Sequence, residues 1–129
     1  MIRITYQNKS IQEILEDDEY PYQHILQSIL KRIRNFYNYV EEIQEEDKIL
    51  FQVRNMTFVT VEPLDEGVRV STEFYYERIV DLVHKYDVQP RQGHDGTDII
   101  SIIVDTPINI QYSISLAQQS CTRFKRLKL

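Results

Sequence analysis

A chain of 129 residues with 42% hydrophobic content is long enough for one independently folding domain, and too apolar to be disordered. Its formal charge of −5 disfavours general nucleic-acid binding, because an acidic surface repels phosphate backbones. Its single cysteine, Cys121, excludes an internal disulfide and any multi-cysteine zinc site, and reads as a small apolar packing residue.

Met1–Tyr6 alternates Ile2, Ile4 and Tyr6 with Arg3 and Thr5, which predicts a short strand. It has no secretory apolar core, and no run in the chain approaches the roughly 20 apolar residues of a membrane span. A cytoplasmic protein is expected, or one acting in the host cytoplasm if viral. Ser10 and Glu13 have the spacing of a capping box and open a short helix ending near Leu15. An acidic link, Glu16–Glu19, follows. Pro21 suits the first turn of a longer helix whose apolar stripe is Ile25, Ile29, Ile33, Phe36 and Val40. The stripe predicts a helix from Pro21 to Gln44. Its acidic end, Glu41-Glu42-Ile43-Gln44-Glu45-Glu46-Asp47, opposes the helix dipole.

Three strands are expected at Ile49–Arg54, Met56–Val61 and Val68–Thr72. Their short connections force an antiparallel meander, with Pro63–Gly67 as a hairpin loop and Gly67 free to adopt positive φ. Tyr75, Tyr76, Ile79, Val80, Val83 and Tyr86 return to helical spacing, predicting a second long helix to about Asp87. Asp98–Val104 is β-branched and nearly all apolar, as a central strand would be. Ile108, Ile110, Tyr112, Ile114 and Leu116 alternate with polar residues and predict a last strand. Residues 117–129 form a short helix or frayed tail, basic over residues 121–129. The expected fold is one α+β domain over residues 1–129. It has an antiparallel sheet of five or six strands with two main helices packed on one face.

Charge is unevenly distributed. Residues 1–66 carry 7 basic and 13 acidic groups, while residues 67–129 carry 8 and 7. Four of the latter cations, Arg123, Lys125, Arg126 and Lys128, fall in the last seven residues. This tail suits self-neutralisation against the acidic helix end, or contact with RNA or acidic lipid. Any nucleic-acid contact would run through those four cations.

Two of three glycines lie in one loop, Arg91–Asp98. Arg91, Gly93, His94, Asp95 and Gly96 form a candidate ligand site. Glycines let backbone amides approach an anion, and His94 beside Asp95 has acid–base potential. The Gly-x-x-Gly spacing matches neither a phosphate loop nor a dinucleotide fingerprint. His24 and His84 sit on predicted helices as boundary residues. No metal, cofactor or catalytic motif is present in the pattern, so neither a metal site nor a cofactor is expected.

Nine tyrosines supply candidate contact surface, since tyrosine couples a large ring to a polar tip. Tyr20, Tyr22, Tyr39 and Tyr75, with Glu41, Glu42, Glu45 and Glu46, are the residues expected at a protein interface. The function expected is therefore a small acidic, non-catalytic protein-binding module. Such modules act as inhibitors or immunity proteins, phage or viral counter-defence factors, or chaperone-type adaptors. A homodimer is compatible with it. From Pro21 onward the expected element order resembles in layout the small acidic type III secretion chaperones, which are dimers, without a shared motif. The alternative function is a nucleotide-like anion binder, or modest enzyme, using the Arg91–Asp98 loop. A third is nucleic-acid contact through the tail.

Overall fold

Ser10 caps the first helix as its spacing predicts: its hydroxyl accepts from the Glu13 amide at 3.2 Å and donates to the Glu13 carboxylate at 3.1 Å. The computed structural model describes residues 10–36, 40–78, 86–93 and 96–126. The expected strand Met1–Tyr6, Tyr39, His84, His94, Asp95 and Lys128 lie outside the described residues, as does the middle of the expected second long helix.

The described helices are α1 (Ile11–Leu15), α2 (Gln23–Arg34) and α3 (Pro107–Arg126), with a 3-10 turn at Tyr76–Arg78. The strands are β1 (Glu41–Gln44), β2 (Ile49–Val53), β3 (Met56–Leu64), β4 (Gly67–Phe74), β5 (Asp87–Gln89) and β6 (Asp98–Val104). They form one antiparallel sheet in the order β1-β2-β3-β4-β6-β5. The α+β class and the six-stranded antiparallel sheet agree with the sequence reading.

Alternation places one set of side chains on the helix-covered face. Ile49, Phe51, Val59, Val61, Val68, Val70, Ile100, Ile102 and Val104 are all buried. The opposite face carries Leu50, Thr60, Ser71 and Ser101 in register, half-buried. The Ser71 and Ser101 hydroxyls meet at 2.9 Å. The β2–β3 turn is two residues, Arg54 and Asn55, both with positive φ (54° and 66°). That is the type I′ geometry matching strand twist. The β3–β4 connection is tighter than expected: β3 runs through Leu64, leaving only Asp65 and Glu66 as the turn.

Three expected elements are corrected. The helix from Pro21 does not reach Gln44. Pro21 sits in the preceding turn and α2 covers Gln23–Arg34, burying Ile25, Leu26, Ile29, Leu30 and Ile33. Its last turn holds Lys31, Arg32 and Arg34, the cations a helix C-terminus favours. The acidic segment beyond is β1. Second, Asp87 does not end a helix but begins β5. Third, Ile108–Leu116 is not a strand. Pro107 opens α3, and burial falls on Asn109, Ile110, Ser113, Ile114, Leu116, Ala117, Ser120 and Cys121, a helical stripe. Ile108, the first member of the apparent alternation, is 69% exposed. The tail is therefore helical through Arg126. With a strand at 41–44 and a helix at 107–126, the element order departs from the secretion-chaperone layout.

α3 lies across β2, β3, β4 and β6 and packs beside α2. Arg32 Nη2 donates to Gln111 Oε1 at 3.0 Å between the two helices. Ser120 Oγ reaches two strands, donating toward Phe58 O (3.2 Å) and Glu73 O (2.5 Å). Cys121 is fully buried on the same face, as expected of a packing thiol. No described helix is long and apolar enough to cross a membrane.

Candidate functional site

β1 is the margin of the sheet, and all four of its residues are exposed. Burial drops so sharply because α3 spans β2, β3, β4 and β6, so that neither the helices nor a further described strand covers β1. Its register with β2 pairs Glu41 with Gln52, Glu42 with Phe51, Ile43 with Leu50 and Gln44 with Ile49. Glu41 and Ile43 thus share the open face. Glu42 and Gln44 share the helix face, where the Glu42 carboxylate receives Arg34 Nε at 2.6 Å and Nη2 at 2.9 Å. This two-bonded pair joins the end of α2 to β1 and raises the Arg34 guanidinium pKa, with partial burial opposing it. At the tip, Glu45 N donates to Lys48 O at 2.9 Å, and Ile11 N donates to Glu46 O at 2.7 Å.

Positions 41 to 47 are all exposed and include five carboxylates, with Ile43 at 39% exposure among them. Glu42 is neutralised locally by Arg34, while Glu41, Glu45, Glu46 and Asp47 give the hairpin a negative rim. The four glutamates expected at an interface are therefore brought together on one hairpin, with Glu41 and Glu42 on opposite faces, as a sheet edge rather than a helix end.

The tyrosines divide differently. Tyr20 is not surface contact area: it is 2% exposed, and its hydroxyl donates to Leu64 O at 2.8 Å and Gly67 O at 3.3 Å. Burial, reinforced by the nearby charges of Asp65 and Glu66, drives its phenol pKa upward. Tyr22 is half-buried, its ring edge-on to Tyr20 at 5.9 Å. Tyr75 is half-buried beneath the Arg123 guanidinium, 5.2 Å from the ring centroid, and its hydroxyl accepts from Arg123 Nη2 at 3.3 Å. One cation of the expected basic tail is thus engaged within the domain.

In the glycine loop, two of the described amides are committed to the loop itself. Arg91 N donates to Asp98 Oδ1 at 3.1 Å, and Gly93 N donates to Thr97 O at 2.8 Å. Asp98 Oδ2 also accepts from Tyr76 N at 2.9 Å, pinning the loop to the 3-10 turn. Gly93 is needed for close approach, since a Cβ there would collide with the Thr97 hydroxyl. These contacts explain the glycine by packing, and they place a carboxylate at the base of the loop.

An open hollow of about 530 Å³ lies at the α1–α2 connection and the start of α2, lined by Asp18, Glu19, Tyr20, Pro21, Gln23 and His24. Gln23 Nε2 donates to the carbonyls of Ile14 (2.9 Å) and Asp17 (2.8 Å), tying the two helices together. The Tyr20 hydroxyl turns inward. Two polar groups of the hollow therefore serve the fold. Among the described residues, no three His, Cys, Asp or Glu side chains group as metal ligands.

Sequence reasoning missed that Glu41–Gln44 is a strand. The signal available was the dipole conflict: acids at a helix C-terminus are unfavourable, and the three cations Lys31, Arg32 and Arg34 stood two to three turns earlier as a better end. No family model, curated protein or solved structure matches this chain.

Proposed function

We propose that this chain is a non-catalytic protein-binding module that recognises a partner through the β1 margin. The observation that supports this most is the combination at β1. A sheet edge without a described neighbouring strand carries Glu41, Glu45 and Glu46 on its rim and presents an exposed Ile43. Edge strands pair readily with other chains unless protected, and acidic side chains restrict which chains can do so. The hairpin is also held in place, through Arg34–Glu42 and Ile11–Glu46, so little ordering entropy opposes docking.

The anion-binding reading of Arg91–Asp98 has weaker support. Two of its described amides are already donated, and Asp98 adds negative charge beneath it.

The test is a photoreactive residue placed at Ile43, with a control at exposed Gln118 on α3, irradiated in the source cell. A discrete protein adduct at 43 and none at 118 is the expected result. The same pattern at both positions, or no protein adduct at 43, would remove the proposal.

A further inference from the structure

We infer that the outer edge of β1 accepts a basic, extended segment of its partner as an antiparallel seventh strand, with cations opposite Glu41 and Glu45 and an apolar residue opposite Ile43. This inference rests on the protein-binding reading above and specifies the partner's chemistry.

Backbone phase fixes which groups are available. Glu45 faces Lys48 and exchanges a hydrogen bond with it. In an antiparallel ladder hydrogen-bonded and non-hydrogen-bonded pairs alternate. Counting back through the register, Ile43–Leu50 and Glu41–Gln52 are hydrogen-bonded pairs, whereas Gln44–Ile49 and Glu42–Phe51 are not. The amides and carbonyls of Glu42 and Gln44 therefore point away from β2, toward the margin. They offer two donors and two acceptors, spaced to pair with alternate residues of an incoming strand.

Side-chain phase fixes the chemistry. Residues directly opposite one another share a face. Glu41 and Ile43 lie on the open face, and continuing the alternation through the Glu45–Lys48 pair sets Glu45 on it too, in the order acid, apolar, acid. A complementary strand has the order cation, any, apolar, any, cation. The helix-face position opposite Glu42 needs no cation, because Arg34 already neutralises that carboxylate.

A second copy of this chain is a poor occupant. Antiparallel self-pairing centred on Ile43 sets Glu41 against Glu45 twice, and like charges directly opposite destabilise a pair. The edge thus rejects itself and favours a strand of opposite sign.

The test uses a fluorescent peptide with the core Lys-Thr-Val-Thr-Lys, titrated with the whole protein at low salt and read by anisotropy. Binding is expected to weaken at least about tenfold in the Glu41→Lys, Glu45→Lys double variant, whose thermal melt reports whether it still folds. Independently of any variant, N-methylation of the two Thr amides, which face Glu42 and Gln44, should abolish binding. N-methylation of the Val amide should not. A scrambled peptide of equal charge that binds as well, or equal sensitivity to both methylation patterns, would reduce the interaction to diffuse attraction and overturn the inference. If the peptide does not bind while the Ile43 crosslink still captures a protein, the inference falls and the docking surface survives. If neither occurs, both fall.

Discussion

At the β3–β4 turn the chain is pinned by buried contacts; at the β1–β2 turn it is held by one backbone bond at its tip, Ile11 N to Glu46 O, and one ion pair on its outer strand. Gly67 follows the first turn with φ +149°, and a Cβ there would lie 2.8 Å from the Ile103 side chain and 2.9 Å from Val104 O. Tyr20 reaches across from the α1–α2 connection to the carbonyls on both sides of the same turn. The second turn is bordered by residues exposed from Glu41 to Asp47, and fixed by one ion pair and one backbone bond. Two hairpins of one sheet, the outer with strands of four and five residues and the inner with strands of nine and eight, thus differ in how they are held. One is tied into the core, and the other has an exposed outer strand without a neighbouring strand among the described residues. Segments with few buried contacts open at lower free energy, so the two should also differ in amide exchange.

The sharpest way to break this comparison is Gly67→Ala. It combines a backbone angle that side chains rarely adopt with a collision against the Ile103 side chain and the Val104 carbonyl. A loss of about 3 kcal/mol is expected in urea denaturation. A loss near zero would mean that the turn is not pinned.

Tyr20→Phe comes next, with an expected loss of about 1–2 kcal/mol at neutral pH from the unfilled Leu64 and Gly67 carbonyls. Its pH dependence sharpens the point. Burial makes the folded state hold the phenol proton more tightly than the unfolded chain does. The wild-type contribution is therefore complete below the ordinary tyrosine value of about 10, and declines as pH rises beyond it. The gap between wild type and Tyr20→Phe should narrow in alkaline melts. A constant gap would contradict the burial of the hydroxyl.

Glu42→Ala removes the Arg34 pair. Because this pair is partly solvent-exposed, the stability change should stay near or below about 1 kcal/mol. Exchange at the amides of β1 should nevertheless accelerate, as the strand loses its tie to α2. The smallest effect is expected at Asn55→Gly. Its positive φ suits glycine best in a type I′ turn, and a gain of about 0.5 kcal/mol in the melt would follow.

Much of the helix-facing layer was legible from local pattern. Apolar segments joined by short connections identified β2 and β3, alternation identified β4, a β-branched apolar run identified β6, and the Ile25–Ile29–Ile33 spacing identified the buried face of α2. The Ser10–Glu13 spacing identified the cap of α1. Two segments misled for physical reasons. Ile108 to Leu116 satisfies a period of two, yet Ile110, Ile114, Ala117 and Cys121 also satisfy a period near 3.6, and packing over the sheet selects the latter. Glu41–Gln44 continues the apolar stripe of α2 in register, so only its unfavourable charge marks the break. The four glutamates were legible as an exposed group, but their place at a sheet edge was not. An edge is defined by which strands fail to gather beside it, and that depends on the whole topology. Tyr20 looked like surface because it adjoins an acidic link, while the carbonyl it reaches is Leu64 O, 44 positions away in sequence.

The chain's one thiol has a practical consequence. Cys121 is fully enclosed where α3 meets the sheet. A thiol reagent can reach it only when that seam parts, so the alkylation rate of unmodified protein serves as a clock for separation of the two layers. Run alongside β1 amide exchange, the clock would tell whether occupying the outer strand is felt across the molecule or stops at Arg34.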